Sequence, residues 1–279
     1  MGRCPAPREL LGLALRAAGR AGREILEVYS GRFAVDAKED RTPITEADRR
    51  AHGVIAAELA AGCPYPILSE EGRQPPHAER RRWRRFWLVD PLDGTKEFVK
   101  RNGEFTVNIA LIHRRRPVLG VVYAPVSGLL YFAARGAGAS RAEGLHPGSA
   151  LEQALESAQP LRRRPSTFPG RIPARTRASR LTVMASRSHS SERWERYLGE
   201  LKRVYAEVEV LTLGSALKSC LVAEGRADLY LRFGSTMEWD TAAAQAVLEA
   251  VGRRLRVYPT RRRLSYNKKS LVNPAILAC

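Results

Sequence analysis

Two acidic segments of the sequence follow runs of hydrophobic residues. Leu68–Gly72 reads LSEEG, and Trp87–Thr95 reads WLVDPLDGT. Hydrophobic runs of this length predict buried strands, so we expect the carboxylates that end them to emerge together at one sheet edge. Asp90 and Asp93 are three residues apart, and Pro91 restricts the backbone between them. Oxygen-only ligands at this spacing favour Mg²⁺, a hard cation that keeps waters and shares phosphate oxygens.

Gly94 and Thr95 add two further ingredients to this acidic cluster. A glycine in a tight turn that opens a helix exposes backbone N–H groups to an anion. The Thr95 hydroxyl can orient an attacking water beside a metal ion. Asp93 and Gly94 alone are typical of an ordinary turn, but their combination with the acids at Glu70 and Asp90 favours a metal centre.

Hydrophobic periodicity predicts that these residues sit on an α/β chain. Two amphipathic helices are expected in the first 60 residues, separated by a polar segment at Lys38–Thr42. Strands are predicted at Pro66–Leu68, Phe86–Val89, Thr106–Ile112, Val118–Tyr123 and Leu129–Ala133. The uncharged run Pro117–Ala134 approaches membrane-spanning length, but its prolines and glycines favour a hairpin of two buried strands.

A change in composition separates two halves of the chain. Gly, Ser, Pro, Ala and Arg dominate between Arg135 and Arg180, where one helix is predicted at Ala150–Ser157. We therefore predict an N-terminal α+β half at 1–135, an insertion or linker at 136–180 and a C-terminal α/β half at 181–279. The last half has predicted strands at Leu181–Ala185, Val208–Leu211 and Ala227–Leu231. Its predicted helices are Glu192–Leu201, Ser215–Glu224 and Thr241–Val251, the last with Asp240 at the N-cap position.

The charge balance is strongly basic. The 279 residues carry a formal net charge of +18, and 40 of the 47 basic residues are arginines. This excess is compatible with a nucleic-acid, anionic-membrane or phosphorylated ligand, or with arginine-rich composition spread over solvated surface. Short arginine clusters from end to end favour the second interpretation. The four cysteines show no zinc-ligand spacing and indicate a reducing compartment, and arginines interrupt the N-terminal apolar run too often for a signal peptide.

Two motifs carry a family resemblance. Val89–Phe98, VDPLDGTKEF, resembles the first signature of the lithium-sensitive, Mg²⁺-dependent inositol monophosphatase superfamily, and Glu238–Ala243, EWDTAA, is similar to its second. The segments LSEEG, WLVDPLDGTKEFVKRNGEFTVNIALI, SRSH at Ser186–His189, LKSCLVAEG and LSYN…NP resemble one branch, the bacterial 3′(2′),5′-bisphosphate nucleotidases of the CysQ type. The resemblance covers nearly the whole chain and falters only between Arg135 and Arg180.

The resemblance implies a layered αβαβα sandwich with the site between the two halves, holding two or three Mg²⁺ ions. The implied metal ligands are Glu70, Asp90, the carbonyl of Leu92, Asp93 and Asp240. Asp48 matches an acid near the attacking water, which Thr95, paired with Glu70 or Asp48, would position and activate. The implied substrate contacts are Glu70, Leu92, Asp93, Gly94, Thr95, Asp240, His189, Ser215, Lys218 and Arg232.

The resemblance also implies a reaction, in which water attacks the 3′-phosphorus of adenosine 3′,5′-bisphosphate in line and displaces the 3′-oxygen, which yields AMP and phosphate. 3′-Phosphoadenylyl sulfate is a further expected substrate. One alternative is an inositol or sugar monophosphatase, although Lys96-Glu97-Phe98 favours the nucleotidase branch. The other is a basic nucleic-acid- or membrane-surface-binding protein with a relict site, which the complete metal signatures disfavour.

The expected partner is therefore a small nucleotide bisphosphate, with no sequence-specific nucleic acid and no transmembrane segment. We expect a cytoplasmic protein, with peripheral association at the inner face of the cell membrane as a further expectation. The sequence does not predict an oligomeric state.

Overall fold

The computed structural model describes residues 7, 10–37, 43–146, 151–162, 168, 180–187 and 191–279. Within them, the helices are Leu11–Ser30 (α1), Glu46–Gly62 (α2), His77–Arg80 (α3), Thr95–Val99 (α4), Leu151–Glu156 (α5), Glu192–Val204 (α6), Leu217–Glu224 (α7) and Glu238–Ala250 (α8). The first-half strands are Val35–Ala37 (β1), Pro43–Thr45 (β2), Ile67–Ser69 (β3), Arg85–Asp93 (β4), Thr106–His113 (β5), Arg116–Ala124 (β6), Leu129–Ala134 (β7), Gly138–Ala142 (β8) and Gln159–Pro160 (β9). The later strands are Arg180–Ser186 (β10), Glu207–Leu213 (β11), Leu229–Arg232 (β12), Thr236–Met237 (β13), Leu255–Val257 (β14), Val272–Asn273 (β15) and Ile276–Ala278 (β16).

Two large sheets organise the molecule. The first has the order β3-β4-β5-β6-β7-β8-β9, with β3 and β4 parallel and the other neighbours antiparallel. The second has the order β11-β10-β12-β16-β14 and combines parallel with antiparallel pairs. The pairs β1-β2 and β13-β15 form two small sheets besides these.

Three hydrophobic clusters show that the layers alternate. One cluster packs α1 and α2 on the outer face of the first sheet, with Ile25 and Ile55 among its fully buried members. A second fills the space between the sheets with α7 and α8, and a third packs α6 on the far face of the second sheet. The order is therefore helix, sheet, helix, sheet, helix, which confirms the expected αβαβα sandwich.

The uncharged run of the sequence forms the expected hairpin. Strands β6 and β7 are antiparallel, with Ala124 opposite Leu129 next to the turn and Leu119 opposite Ala134 at the far end. Both strands are largely buried. None of the helices in the described ranges is long and apolar enough to span a bilayer. Burial of both strands explains why this run carries no charge.

The segment between the halves contributes to the first sheet where it is described. Strand β8, which the sequence did not predict, pairs with β7, and β9 pairs with β8. Helix α5 closely matches the helix predicted at Ala150–Ser157. The division at residues 135 and 180 stays a prediction, and the polar segment Lys38–Thr42 lies outside the described residues.

Helix α8 from the second half lies directly on the first sheet. A Cβ atom at Gly120 in β6 would lie 2.2 Å from the Ala243 carbonyl oxygen, so only glycine permits this approach. Ala242, Ala243 and Ala244 are correspondingly small and buried. This contact places the start of α8, which belongs to the second half, close to the strands that hold the acids of the first half.

Two predicted helix starts are wrong. Helix α8 begins at Glu238, and Asp240 is its third residue rather than its N-cap, because its Oδ2 atom accepts the Met237 N–H at 2.9 Å. Helix α7 begins at Leu217, because Ser215 has a φ of +48°, which an α-helix does not accommodate.

Candidate active site

A cavity of about 540 Å³ opens between the two halves at the end of β4. Its walls come from the β3 and β4 ends, α4, the loop before α7, β12 and the start of α8. They include ten of the predicted site residues, namely Glu70, Asp90, Leu92, Asp93, Gly94, Thr95, Ser215, Lys218, Arg232 and Asp240. We call this cavity the cleft. Asp48 reaches it through a hydrogen bond to Thr95, and His189 lies outside the described residues.

Three carboxylates from separate parts of the chain meet in the cleft. Oxygen atoms of Glu70, Asp90 and Asp240 all lie within 4.8 Å of one another. The Glu70 N–H donates to the Val89 carbonyl at 3.1 Å, which holds the end of β3 beside β4. Asp240 comes from the first turn of α8, so this cluster joins the two halves.

A β-bulge explains how Asp90 and Asp93 line the same cleft. Residues three apart in a regular strand point to opposite faces, because side chains alternate. Here Asp90 pairs with Asn108 and Asp93 with Thr106, so β4 has one residue more than β5 across this interval. The extra residue turns both carboxylates to one side, as bulges beside active sites commonly do.

Carboxylates this close repel one another unless a cation lies among them. Burial raises the pKa of Asp90 well above its ordinary value, and Glu70, Asp93 and Asp240 raise it further. Burial and the Asp93 charge likewise raise the pKa of Asp240. A crowded, oxygen-only donor set fits Mg²⁺ rather than a softer metal.

Asp93 differs from its neighbours because it has positive and polar partners. Burial raises the pKa of its carboxyl group, whereas the Lys218 ammonium and the Asn108 side chain lower it. The Asn108 amide donates to the Asp93 Oδ2 atom at 3.1 Å. These contacts fix the orientation of Asp93 toward the cleft.

The backbone between the two aspartates forms a tight turn. The Leu92 N–H donates to the Asp90 Oδ1 atom at 3.1 Å across Pro91. Gly94 follows with a φ of +98° and caps α4, a left-handed conformation that glycine adopts without strain. The turn brings the Leu92 carbonyl and the first residues of α4 to the cleft wall.

Thr95 and Asp48 form a hydroxyl–carboxylate pair. The Thr95 hydroxyl lies 3.3 Å from Asp48 Oδ1 and 3.4 Å from the Leu92 carbonyl oxygen. The other Asp48 oxygen accepts the Thr45 N–H at 2.7 Å and the Thr45 hydroxyl at 2.6 Å, which caps α2. Of the two carboxylates expected to pair with Thr95, Asp48 is therefore the one that accepts its hydrogen bond.

The opposite wall of the cleft is cationic. Lys218 is only 4% exposed, and its Nζ atom donates to the Ser215 carbonyl at 2.6 Å and lies 5.5 Å from the centroid of the Tyr230 ring. Burial lowers the Lys218 pKa to about 8, although the Asp93 charge opposes that shift. Arg232 donates to the Ser186 hydroxyl at 3.2 Å.

Several buried donors around the cleft have no hydrogen-bond partner among the described residues. They are the Ser215 hydroxyl, the Arg232 Nε atom and the Trp239 Nε1 atom. All three residues line the cleft. Because a buried donor without a partner costs free energy, these atoms are suited to contact a polar ligand.

Behind Asp240, a buried network that the sequence analysis missed holds the start of α8. The fully buried Glu238 carboxylate accepts the Asn267 N–H at 2.6 Å and the Lys268 Nζ atom at 2.7 Å. Lys268 also donates to Asn273, whose amide donates to the Met237 carbonyl at 2.7 Å. The motifs EWD and LSYN…NP contain these residues. They are about thirty positions apart, and no sequence pattern predicts a contact over that separation.

The network extends to the first half through Arg80 in α3. This guanidinium group is 2% exposed and donates to the Asn267 side chain at 2.8 Å and the Lys269 carbonyl at 2.9 Å. The Asn267 amide returns a hydrogen bond to the Arg80 carbonyl at 2.7 Å. The segment after β14 therefore ties α8 to the region that follows Glu70.

Comparison with known proteins identifies several relatives. A model of the inositol monophosphatase family matches residues 6–276. The 3′(2′),5′-bisphosphate nucleotidase CysQ of Shigella flexneri is 44% identical over 247 residues, covering 87% of this chain and 88% of that protein. CysQ of Salmonella typhimurium is 45% identical over 239 residues, covering 84% and 85% respectively. The crystal structure of CysQ from Bacteroides thetaiotaomicron superposes with a TM-score of 0.81 at 42% identity, covering 97% of this chain and 96% of that one.

Proposed function

The chain belongs to the inositol monophosphatase family, and we propose that it is a 3′(2′),5′-bisphosphate nucleotidase. In this proposal it hydrolyses the 3′-phosphate of adenosine 3′,5′-bisphosphate to give AMP and phosphate. The supporting relatives bear the name of that activity and match most of the chain. 3′-Phosphoadenylyl sulfate has the same 3′-phosphate, so we propose it as a second substrate.

The observation that carries the proposal is the meeting of Glu70, Asp90 and Asp240 opposite a cationic wall. The acids suit metal ions, and Lys218 and Arg232 suit a phosphate group that is not being transferred. A bisphosphate has both needs, because one phosphate reacts and the other only binds. A monophosphate of a neutral polyol needs the acidic side alone.

We propose that Glu70, Asp90, Asp93, Asp240 and the Leu92 carbonyl hold two or three Mg²⁺ ions. Bound there, Mg²⁺ neutralises charge on the phosphoryl oxygens and lowers the pKa of water. The raised pKa values of Asp90 and Asp240 support this assignment, because the acids need a positive partner to ionise together.

Thr95 and Asp48 are proposed to position the attacking water. With the Thr95 hydroxyl donating to the Asp48 Oδ1 atom, its lone pairs are free to accept a hydrogen bond from water. Asp48 does not move easily, because its second oxygen is fixed by two hydrogen bonds from Thr45. Glu70, at the same end of the cleft, is proposed to share the activation of that water.

Ser215, Lys218 and Arg232 are proposed to bind the nucleotide. Their donors supply a hydroxyl, an ammonium and a guanidinium group, the combination that binds phosphate in proteins. Gly94 and Thr95 are proposed to contact the reacting phosphate from the start of α4. The proposed contact at His189 rests on the sequence resemblance alone.

A substrate panel tests the proposal. Purified protein with Mg²⁺ should release phosphate faster from adenosine 3′,5′-bisphosphate than from inositol 1-phosphate, and Lys218→Met should raise KM for the bisphosphate more than for the monophosphate. A preference for inositol 1-phosphate would overturn the substrate but keep the phosphatase, in agreement with the sugar-phosphatase alternative. We propose a cytoplasmic location for the enzyme, and association with the inner membrane face stays a prediction.

A further inference from the structure

The first sheet has opposite charge at the two ends of its strands. Strand β4 begins at Arg85 and ends at Asp93, so the acids of the cleft lie at one end only. At about 3.3 Å per residue, the two ends are roughly 26 Å apart. Whatever binds at the start of β4 is therefore separated from the cleft by most of the sheet.

Arginines in or beside the strands β4, β6 and β7 and in the β5–β6 turn gather at that distant end. Because β4, β5, β6 and β7 are antiparallel, the start of β4 lies beside the β5–β6 turn and the end of β7. The Arg114 N–H donates to the Arg84 carbonyl, and the Arg135 N–H to the Val118 carbonyl. Two C-terminal arginines join them near the end of α8. Arg263 forms an ion pair with Glu249 of that helix. Burial raises the pKa of the same carboxyl group, and the charge of Arg254 opposes that rise, as do those of Arg116 and Arg135. We call this set the basic edge, comprising Arg84, Arg85, Arg114, Arg115, Arg116, Arg135, Arg254 and Arg263.

Most of the basic edge is exposed. Arg84, Arg114, Arg115, Arg116, Arg135 and Arg254 are all exposed. Glu249 lies near Arg116, Arg135 and Arg254, and Arg263 already binds it. His113, at the centre, has its pKa lowered by burial and then by Arg85, Arg114, Arg135 and Arg84, which shows that these charges converge on one place.

The extent and sign of the basic edge suit a phosphodiester backbone. Neighbouring strands lie about 4.8 Å apart, so the ends of β4 to β7, beside which these arginines lie, span about 15 Å. Duplex DNA carries one negative charge per about 1.7 Å of its axis, and an arginine fork binds phosphate through two parallel hydrogen bonds. A basic surface of this length can therefore contact several phosphates.

The surface chemistry favours nucleic acid over a membrane. Membrane-surface segments pair their basic residues with apolar side chains that insert between lipids. In the described ranges the exposed large hydrophobic residues are Val35, Val99, Val126 and Val272, and none belongs to the basic edge. We propose that the basic edge is a second binding site, independent of the cleft, that binds the sugar-phosphate backbone of nucleic acid without reading sequence.

The test compares two triple variants that remove the same charge from different faces. Arg114→Gln/Arg115→Gln/Arg116→Gln alters the basic edge, and Arg196→Gln/Lys202→Gln/Arg203→Gln alters exposed residues of α6 on the other side of the molecule. Fluorescence anisotropy with a short labelled DNA duplex measures the association constant over a range of salt concentrations. Phosphate release confirms that each variant is folded and active, because none of the six residues lines the cleft.

We expect the wild-type association constant to fall steeply with salt. The basic-edge variant should bind at least about tenfold more weakly at low salt, and its slope of log K against log salt should be shallower by about 2.7, or 0.9 per lost phosphate contact. The α6 variant should keep the wild-type slope. Equal weakening in both variants would attribute binding to net charge and overturn the site. Absence of DNA binding at low salt, or binding to phosphatidylserine vesicles without binding to DNA, would also overturn it.

Discussion

At the scale of single residues, Asp48 serves two elements at once. One of its oxygens accepts hydrogen bonds from Thr45 and caps α2, while the other accepts the Thr95 hydroxyl beside the cleft. A carboxylate fixed by its own helix start loses little freedom when it orients a second group. A substitution of Thr95 therefore tests the role of its hydroxyl group while the Asp48 cap of α2 stays in place.

We expect Thr95→Val to lower kcat by about 10² to 10⁴, the usual contribution of a positioned proton-transfer group, with little change in KM. Valine keeps the shape of threonine and removes only the hydroxyl group. Thr95→Ser restores that hydroxyl and should recover most of kcat, which makes it the matched control. Steady-state phosphate release measures all three proteins. Equal kcat for Thr95→Val and wild type would remove Thr95 from the reaction.

At the scale of elements, the position of α8 decides whether Asp240 reaches the metal site. The helix is seated against β6 at Gly120, and its first turn is held by Glu238, Lys268 and Asn273. Asp240 itself accepts the Met237 N–H, so one carboxylate both caps the helix and faces the cleft. The Glu238 network is thus in a position to orient Asp240.

We expect Glu238→Gln to weaken Mg²⁺ binding by about ten- to a hundredfold, the range for residues that orient metal ligands, and to lower Tm. Glu249→Gln is the control, because it breaks an ion pair with Arg263 at the far end of the same helix. The control should lose stability but keep wild-type Mg²⁺ affinity. Calorimetric titration with Mg²⁺ separates the two outcomes. An unchanged affinity in Glu238→Gln would reduce the network to a purely stabilising role.

Much of this element order follows from sequence pattern, because β4 to β7 are long apolar runs and the main helices have clear periodicity. The acidic motifs also identified the cleft acids before their positions were known. Strand β8 was missed because Gly138–Ala142 contains small residues and an arginine that resemble a loop. The start of α8 was misplaced because Asp240 looks like an N-cap, whereas Met237 has no typical capping side chain. Contacts such as Arg80 to Asn267 join residues far apart in sequence, and no local pattern specifies them.

At the scale of the whole molecule, a strongly basic chain holds a cluster of carboxylates in its cleft. The net charge is +18, yet the cleft places several carboxylates within a few ångströms of one another. Burial and repulsion raise the pKa of both Asp90 and Asp240 in the protein without metal. Metal binding and proton binding therefore compete for the same oxygens.

This competition predicts how stability depends on pH. The pKa values of Asp90 and Asp240 are raised in the folded protein without metal. Above about pH 4 the unfolded chain has therefore released protons from these acids that the folded protein still holds. Raising the pH through the folded pKa values therefore lowers the free energy of unfolding when EDTA is present. Mg²⁺ binds the ionised acids, so the increase in Tm that Mg²⁺ causes should grow from about pH 5 to pH 8. An increase independent of pH, measured by scanning calorimetry, would contradict the metal assignment.

The most direct test of the central claim is phosphate release from adenosine 3′,5′-bisphosphate as Mg²⁺ is titrated, in wild type and in Asp93→Asn. We expect wild-type activity to need Mg²⁺, and the variant to lose at least about a hundredfold while keeping a wild-type Tm or a higher one, because the change removes a charge from a crowded acidic site. Asp36→Asn, which alters an exposed acid paired with Arg49, should leave turnover unchanged. Undiminished release in EDTA, or wild-type activity in Asp93→Asn, would contradict the metal-dependent phosphatase described here.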